Sequence, residues 1–439
     1  MPPDSIALLL VACSEPDVPA KPTSPARPQQ GPPGPPPGQN GPPGPPPGQP
    51  GGSGGAMQDP TGFPAFHDLP APPGPAPQGL GAFTKHLALA TRPAGGYRPQ
   101  VAVGPDGTLH AVYYDRVDAG DVIRYRSSRD GVTWTAPETV SFGEGRNWGP
   151  DLVVRGDGSV VVVFDHAEKD FRSRGWLRVR TAEGWGDLTP LTPDGEREMG
   201  SGHVAHATGD DLAYVYIAKP LGERNRFVAT WTWRTNGTWS DAQAFSDGTD
   251  DAWHTNVERR PDGSVLAGWD IGKGGGETTL YVAEGRDGRF STPEDMTATS
   301  HPGERPNFAF APGVDWVTWF HKVGGVPRHV YVRGGKPGAW GESVEPSAGL
   351  GGYHFDPDVQ INEDGVLCLV WGWDGGQDAE LVYSLNRGSG WEPARKVAEV
   401  DWGEPGLPSI DADATGAFHV VWNQGVRGSN EVYYAKLVP

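Results

Sequence analysis

The sequence predicts an all-β fold, a seven-bladed β-propeller of four-stranded blades, from two observations. At seven places a turn rich in Asp and Gly is followed at once by an apolar strand. These turns contain Asp106-Gly107, Asp157-Gly158, Asp210-Asp211, Asp262-Gly263, Pro312-Gly313, Asp364-Gly365 and Thr415-Gly416. Successive turns are about 50 residues apart, a period typical of propeller blades and other repeat arrays. Between them lie short strands and further turns without helical periodicity, which indicates an all-β domain.

Each repeat contains the same elements in the same order. A first strand leads into the Asp-Gly type turn, and an apolar second strand such as SVVVVFDH (159–166) follows. A third strand such as WLRVRT (176–181) comes next, and a short outer strand carries Trp or Phe. The outer aromatic residues are Trp134, Trp185, Trp239, Phe290, Trp340 and Trp391. A blade cannot bury both faces of its sheet alone, so the repeats predict one large domain.

The seventh repeat ends at EVYYAKLVP (431–439) without a fourth strand. The segment AFTKHLALA (82–90) precedes the first repeat and has the character of a strand. Pairing these two segments would close the ring and remove free sheet edges. We therefore predict that an N-terminal strand completes the seventh blade and that the propeller occupies residues 83–439.

Charge and composition exclude some classes of partner. The net charge of −19 argues against nucleic acid, because neutralising phosphates requires clusters of Lys and Arg. The two cysteines, Cys13 and Cys368, offer no disulfide framework. The histidines show no close paired spacing of the kind found in helical metal sites, so we predict neither a metal nor a cofactor. We expect a monomer.

Residues 1–13 form a signal-like segment, in which the apolar stretch from Ile6 to Ala12 directly precedes Cys13 and gives the sequence Leu10-Val11-Ala12-Cys13-Ser14. This resembles the lipobox of bacterial lipoproteins, and the resemblance implies lipidation of Cys13 and a location at the cell envelope. Residues 14–82 contain the tandem repeat GPPGPPPGQN/GPPGPPPGQP (31–50) and then GGSGGA (51–56). Such sequences form extended, semi-rigid spacers and flexible joints. We predict a disordered tether, with membrane contact through the lipid anchor only.

One turn of the first repeat reads Ser128-Arg129-Asp130-Gly131-Val132-Thr133-Trp134. It resembles the Asp box, or BNR repeat, of sialidases and related propellers, and eroded versions occur at 236–239 and 286–290. The resemblance extends as a repeat pattern over residues 83–438 and implies a sialidase-like propeller. In that family the Asp boxes lie away from the active face, so the motif is specific for the fold and weak for activity.

The order of strands sorts the loops onto two faces. Turns between first and second strands carry Asp, Gly, Asn and Pro, whereas blade entries and the ends of second strands collect His, Arg, Asp and Trp. We predict that the latter face rings the channel mouth and binds a ligand. The candidate residues are Arg98, Asp115, Arg146, Trp148, Asp165, His166, His203, Trp253, His254, Asn256, Asp270, Arg305, Asn307, His321, Tyr353, His354, Asp356 and Asp374.

Three functions fit this face. The first is non-catalytic binding of a glycan or protein, since exposed Trp beside Asp and Asn suits sugars. The second is a sialidase-like hydrolase, in which Arg98, Arg146 and Arg305 supply cations, Tyr97 or Tyr353 a phenol, and Asp115 or Asp165 an acid. The third is a polysaccharide lyase with His203, His254 or His354 as the base and a Tyr as the acid. Propellers host all three functions, so the fold alone cannot choose among them. We favour binding, because a lipid anchor, a spacer and an aromatic-rich ring all fit it.

Overall fold

The computed structural model describes residues 71–439, except 92–95, 119, 168–172, 192–196, 199–201, 207–210, 220–226, 247–249, 274–276, 324–325, 377, 401 and 427–428. The lipobox-like segment with Cys13 and the Pro/Gly-rich repeat lie outside the described residues. Within them, no helix is long and apolar enough to span a membrane.

Seven antiparallel sheets form the seven predicted blades, which confirms the propeller. Blade 1 contains Gly96–Val103, Leu109–Val117, Gly120–Ser128 and Glu138–Thr139. Blade 2 contains Arg146–Val154, Val160–Ala167, Ser173–Thr181, Gly184–Trp185 and Thr189–Pro190. Blade 3 contains Arg197–Glu198, His203–His206, Leu212–Lys219, Val228–Thr235, Thr238–Trp239 and Gln243–Ala244. Blade 4 contains Asp251–Arg259, Val265–Lys273, Glu277–Arg286, Arg289–Phe290 and Glu294–Asp295; blade 5 Glu304–Ala311, Val314–Val323, Val326–Gly335 and Ser343–Val344. Blade 6 contains Tyr353–Ile361, Leu367–Asp374, Ala379–Asn386 and Arg395–Lys396; blade 7 Glu404–Ala412, Phe418–Val426, Ser429–Leu437 and Leu87–Ala90.

The N-terminal strand closes the ring as predicted. Leu87–Ala90 pairs antiparallel with Ser429–Leu437, and Phe83 forms a bridge to Leu437. Leu89 is buried between the first and last blades. Without this strand, the backbone edge of Ser429–Leu437 would be exposed to solvent.

Ordered structure begins before residue 83, the start predicted for the folded domain. Gln78–Leu80 pairs in parallel with Arg395–Lys396, the outer strand of blade 6. The backbone N–H groups of Gly351 and Gly352 donate to the carbonyls of Pro75 and Pro72. Residues 71–82 therefore lie along blade 6, and the domain starts earlier than the predicted tether boundary because backbone pairing is available there.

The hydrophobic core lies between neighbouring blades. Tyr97 and Val112 of blade 1, for example, pack with Leu152 and Val162 of blade 2. Second strands bring one fully buried tryptophan each to the centre of four blades: Trp269, Trp319, Trp371 and Trp422. The alternating apolar residues of each strand are thus covered on both faces, as a propeller requires.

Side chains join the first strands, which surround the channel and which we call inner strands. Asp151 of blade 2 accepts a hydrogen bond from the backbone N–H of Val204 (2.8 Å), and Asp358 of blade 6 accepts from Ile410 (2.9 Å). Asp411 of blade 7 accepts from Val103 of blade 1 (2.7 Å). Inner strands splay apart and share no backbone ladder, so these carboxylates satisfy N–H groups that would otherwise be buried without partners.

The Asp-box-like turn of blade 1 has a local structural role. The Asp130 carboxylate accepts from the backbone N–H groups of Val132 (2.8 Å) and Thr133 (2.7 Å), which lowers its pKa to about 2. Ser128 Oγ accepts from the Gly131 N–H (2.9 Å), and Trp134 packs edge-on against Tyr434. The turn therefore shapes the hairpin and fixes a contact between blades 1 and 7.

Candidate functional site

A β-bulge interrupts six inner strands at the same place. The register against the second strand shifts between Tyr97 and Gln100, Trp148 and Asp151, Trp253 and Asn256, Glu304 and Asn307, Phe355 and Asp358, and Gly406 and Ser409. The first extra residue of each bulge has a positive φ, and we call these six the bulge residues: Arg98 (45°), Gly149 (57°), His254 (43°), Arg305 (58°), Asp356 (48°) and Leu407 (47°).

Positive φ favours glycine, yet only one of the six bulge residues is glycine. Holding another residue in this region costs on the order of 1–2 kcal/mol. The chain nevertheless places Arg, His, Arg and Asp at four of these positions. Bulges commonly redirect a side chain beside a functional site, and backbone strain of this kind clusters at such sites. The bulges therefore mark the candidate site.

A proline follows five of the six bulge residues and explains where the bulges form. Pro lacks a backbone N–H, so within a sheet it is confined to edges, first positions and bulges. The five prolines recur in successive blades: Pro99, Pro150, Pro306, Pro357 and Pro408. In blade 4, Thr255 takes this place.

The six bulge residues all line one central cavity of about 360 Å³. Because the bulges lie near the start of each inner strand, they form the mouth of the channel. Residues further along the strands, including Asn256, Glu258, Asn307, Asp358 and Asp411, line its shaft. The cavity therefore has a mouth built from strained residues and a polar shaft.

Two arginines and an aspartate are grouped at the mouth. Arg305 Nη1 lies 3.1 Å from Asp356 Oδ1, and both side chains are largely buried. Burial and the nearby charge of Arg305 lower the pKa of Arg98, whereas Asp165 and Asp356 act in the opposite direction. Two guanidinium groups thus share a poorly solvated cavity, an environment in which an anionic ligand offsets their repulsion.

His254 and Asp270 form a hydrogen-bonded pair on blade 4. His254 Nδ1 lies 2.9 Å from Asp270 Oδ2; the imidazole is 19% exposed and the carboxyl group is fully buried. Burial raises the pKa of Asp270 to about 7. Burial and the positive charge of Arg305 lower the pKa of His254 well below its usual value. Asp270 therefore anchors Nδ1 of a neutral imidazole that borders the cavity, which is the state required of a general base.

Glu304 and Lys322 lie beside this pair. Lys322 Nζ donates to Glu304 Oε2 at 2.6 Å. His254, Asp270 and Glu304 offer ligand atoms within 4.8 Å of one another, so their geometry could hold a metal ion. Asp270 already contacts His254, and Glu304 already contacts Lys322. We therefore interpret the group as a hydrogen-bonded network that orients His254.

The shaft is acidic. Burial raises the pKa of Asp358 to about 7, with further contributions from Asp411 and Asp151. Burial and the charges of Asp358 and Asp151 raise the pKa of Glu258 well above its usual value. Because Arg98 and Arg305 lie at the mouth and these carboxyl groups lie in the shaft, an anion is favoured at the mouth over the shaft.

Seven predicted site residues line the cavity: Arg98, His203, His254, Asn256, Arg305, Asn307 and Asp356. Asp270 lies directly behind His254. Asn256 and Asn307 bond to each other (2.7 Å) and to backbone carbonyls of the following blades, so part of their hydrogen-bonding capacity is used in joining blades.

Four other predicted residues have structural contacts away from the cavity wall. His354 is buried, accepts from Trp371 Nε1 at 3.1 Å, and has its pKa lowered to about 3 by burial. Tyr353 is buried beneath the Arg328 guanidinium. Asp374 caps a turn through the Gly376 N–H. Asp115 pairs with Arg124 at 3.3 Å.

The remaining predicted residues lie outside the cavity wall, on blades 2, 4 and 5. Arg146 lies over the ring of Trp148, and His166 contacts Asn147 on blade 2. Asp165 is buried beside Arg98. Trp253 packs against Phe227, and His321 lies among the rings of His301, His329 and Tyr331.

Glu304, Lys322, Glu258 and Asp358 were not among the predicted site residues, and the bulges were not predicted. The repeated Xaa-Pro step in the inner strands was the available signal, because Pro inside a strand indicates a bulge. The partners of His254 lie on the neighbouring strand and the next blade, and only the strand register brings them together.

No protein-family model matches this chain, and no curated protein matches it. Among solved structures, it is similar to an ulvan lyase of polysaccharide lyase family 25 bound to -[GlcA(1-4)Rha3S]-: TM-score 0.55, 12% identity, 83% of this chain and 95% of that chain. It is also similar to a Dyadobacter fermentans protein of unknown function, with a TM-score of 0.51 and 13% identity over 81% of this chain and 99% of that chain. A mutant Trypanosoma rangeli sialidase matches with a TM-score of 0.48 and 10% identity over 83% of this chain and 60% of that chain. The first two likenesses support the fold alone.

Proposed function

We propose that this protein binds an acidic carbohydrate at the channel mouth, with a sugar carboxylate held between Arg98 and Arg305. The observation that carries the proposal is the presence of both arginines at strained bulge positions facing one cavity. Guanidinium groups bind carboxylates through paired, charge-assisted hydrogen bonds. The ulvan lyase bound to a glucuronate-containing saccharide is an example of such a fold accepting an acidic sugar.

Isothermal titration with an oligoglucuronate and its carboxyl-reduced counterpart tests the proposal. The wild type is expected to bind the acidic form and to lose at least about tenfold in affinity when the carboxylate is removed, as expected for a charge-assisted contact. Arg98→Gln and Arg305→Gln should show the same loss for the acidic ligand. Arg387→Gln, which removes an exposed arginine paired with Glu392, is the matched control. Equal affinity for the two ligands would overturn the proposal.

A second candidate, β-elimination at a uronate, is favoured by the His254–Asp270 pair. His254 Nε2 would take the proton from C5, the C4–O4 bond would break, and a C4=C5 double bond would form. The proton would then pass from His254 to the departing O4. No tyrosine is among the described residues of the cavity wall, so we assign both proton transfers to His254 in place of the predicted His–Tyr pair.

The sialidase hypothesis receives less support from the same geometry. Arg146 lies over Trp148 outside the cavity wall, so the three nominated arginines do not meet there. Tyr97 stacks on Tyr114, and Tyr353 is buried. Neither phenol faces the cavity that Arg98 and Arg305 share.

Ultraviolet absorbance of the unsaturated product distinguishes catalysis from binding. If the protein is a lyase, incubation with a polyuronate produces this absorbance, and His254→Gln abolishes it while leaving uronate affinity within a fewfold. His329→Gln serves as the matched histidine control, because His329 pairs with Glu345 and does not line the cavity. Uronate binding without any unsaturated product would leave binding alone as the function.

Display at the cell envelope remains part of the proposal. The lipobox-like Leu10-Val11-Ala12-Cys13 would supply the lipid anchor and residues 14–70 the spacer. Expression in a bacterium with a labelled fatty acid should label the wild type and leave Cys13→Ser unlabelled. Equal labelling of both would contradict an anchor at Cys13.

A further inference from the structure

We infer that the channel mouth recognises the end of an acidic polysaccharide chain and does not take up a sugar from the interior of the chain. This inference rests on the proposed function, because it concerns the same uronate held between Arg98 and Arg305. Three features support it: the positions of the two arginines on the ring, the depth of the charged side chains and the acidity of the shaft.

The two arginines come from opposite sides of the ring. Hydrophobic clusters join blade 1 to blade 7, blade 7 to blade 6 and blade 6 to blade 5, so three steps separate Arg98 from Arg305 on that side. Four steps separate them through blades 2, 3 and 4. Burial and then the charge of Arg305 lower the pKa of Arg98, so the two guanidinium groups approach each other across the channel. A carboxylate that contacts both therefore lies near the channel axis.

Protein surrounds this position on all sides. The inner strands of all seven blades line the cavity. None of the six bulge residues is exposed, and Gly149 is buried although it has no side chain. The side chain of Arg305 is 17% exposed and that of Asp356 is 7% exposed. The charged groups thus lie inside the mouth, and a ligand has to enter the cavity to reach them.

The cavity is small for a polymer. Its volume of about 360 Å³ includes the shaft and lies near the lower end of the range of about 300–1,000 Å³ for small-molecule sites. A sugar in the interior of a chain has a neighbour on each side, and both neighbours would have to fit between the same walls. A terminal sugar has one neighbour, which can leave through the opening of the mouth.

The shaft offers an acidic chain no favourable second exit. Glu258, Asp358 and Asp411 line it. Arg259 also lines the cavity, but it is the exposed last residue of Asp251–Arg259 and lies past these carboxyl groups. A chain threaded through the channel would place its carboxylates beside those of the shaft, and like charges at close range are unfavourable. A chain bound at the mouth therefore leaves by the opening through which it entered.

The two ends of a 1,4-linked uronate chain have different chemical consequences. A uronate at the reducing end keeps its neighbour on O4, the group that departs in the β-elimination described above. A uronate at the non-reducing end has a free O4 hydroxyl group, so recognition of that end would confine the protein to binding. Both ends present one terminal carboxylate to Arg98 and Arg305.

The number of protein molecules bound per chain tests this inference. Isothermal titration with a 1,4-linked glucuronate hexasaccharide and with a long polyglucuronate of narrow length distribution measures this number and the affinity per chain. We expect one protein per chain and the same affinity per chain for both ligands. Arg305→Gln should weaken binding of both ligands equally, by at least about tenfold, because a charge-assisted contact is lost. Arg387→Gln is the matched control and should change neither.

Modified hexasaccharides identify the end that is bound. One carries a reducing-end sugar reduced to its open-chain alditol, and the other carries a bulky 4-O-benzyl group on the non-reducing end. One of the two should bind at least about tenfold more weakly, because its terminal ring no longer reaches both arginines. Unchanged affinity for both modified ligands would overturn recognition of chain ends.

The outcomes separate this inference from the proposed function. Several proteins bound per long chain, with binding still weakened in Arg305→Gln, would overturn recognition of chain ends and leave the mouth site intact. A wild type that binds neither ligand, or an Arg305→Gln variant that binds both like the wild type, would overturn the proposed function and this inference with it. Melting temperatures of the variants show whether each change has been made in a folded protein.

Discussion

At the scale of single residues, the six bulge residues combine backbone strain with the chemistry of the mouth. Arg305 has a φ of 58°, whereas Asn307, two residues further along the same strand, is not in the positive-φ region. Both side chains line the cavity. The strand thus holds Arg305 in a strained backbone conformation and Asn307 in an unstrained one. Comparing substitutions at the two positions therefore measures the free energy of the strain.

Paired glycine and alanine substitutions should show opposite signs at these two positions. Arg305→Gly should be more stable than Arg305→Ala by about 1 kcal/mol, because glycine tolerates positive φ. At Asn307, glycine should be less stable than alanine by about 0.5–1 kcal/mol, because it loses more conformational freedom on folding. Urea unfolding of the four variants measures both differences. Alanine more stable than glycine at both positions would show that the bulge carries no strain.

A buried carboxyl group in the shaft should make stability depend on pH. Burial raises the pKa of Asp358 to about 7, above the value of about 3.9 for an unfolded chain. The folded state therefore binds more protons between these values, and its stability falls as the pH rises through this window. The stability of the wild type relative to Asp358→Asn should fall by about 2 kcal/mol between about pH 5 and about pH 8. A difference independent of pH, measured by urea unfolding, would contradict this ionisation.

At the scale of elements, strands and closure were predictable because they depend on local patterns. Asp-Gly turns followed by apolar strands locate the blades, and the missing fourth strand of blade 7 identifies Leu87–Ala90 as its replacement. The pairing of Gln78–Leu80 with blade 6 was not predictable from a three-residue segment in Pro-rich sequence. The bulges were not recognised, although Pro99 and Pro306 lie inside inner strands, where Pro indicates one.

The sequence was enough to predict which face of the propeller carries the candidate site, but not which side chains contact one another there. Strand phase assigned Arg98, His254, Arg305 and Asp356 to one face, and all four line the same cavity. It did not distinguish them from His354 or Tyr353, which lie on the same inner strand as Asp356 and are buried. Alternation of side chains along the strand is shifted at each bulge, so facing direction cannot be counted through it from sequence.

Removing the closing strand should abolish cooperative folding. Deletion of residues 1–90 removes Leu87–Ala90 and exposes the edge of Ser429–Leu437, along with apolar surface around Leu89. Deletion of residues 1–70 removes none of the described structure and should leave the melting temperature unchanged. Differential scanning calorimetry compares the two. A cooperative transition at the wild-type temperature in the longer deletion would contradict closure by this strand.

At the scale of the whole molecule, seven similar blades build an asymmetric ring. Blades 4, 5, 6 and 1 place His254, Arg305, Asp356 and Arg98 at the mouth, whereas blade 7 contributes Leu407 and blade 2 contributes Gly149. The chain carries a net charge of −19, so the cationic group at the mouth contrasts with an acidic molecule. This asymmetry places the two arginines, Arg98 and Arg305, at the mouth of the channel.

A crystal structure of the protein with a bound oligoglucuronate tests the central claim most directly. We predict density for a uronate in the channel mouth, with its carboxylate within hydrogen-bonding distance of both Arg98 and Arg305 and the sugar ring beside His254. A uronate bound on another face, or one in the mouth whose carboxylate points away from both arginines, would contradict the account.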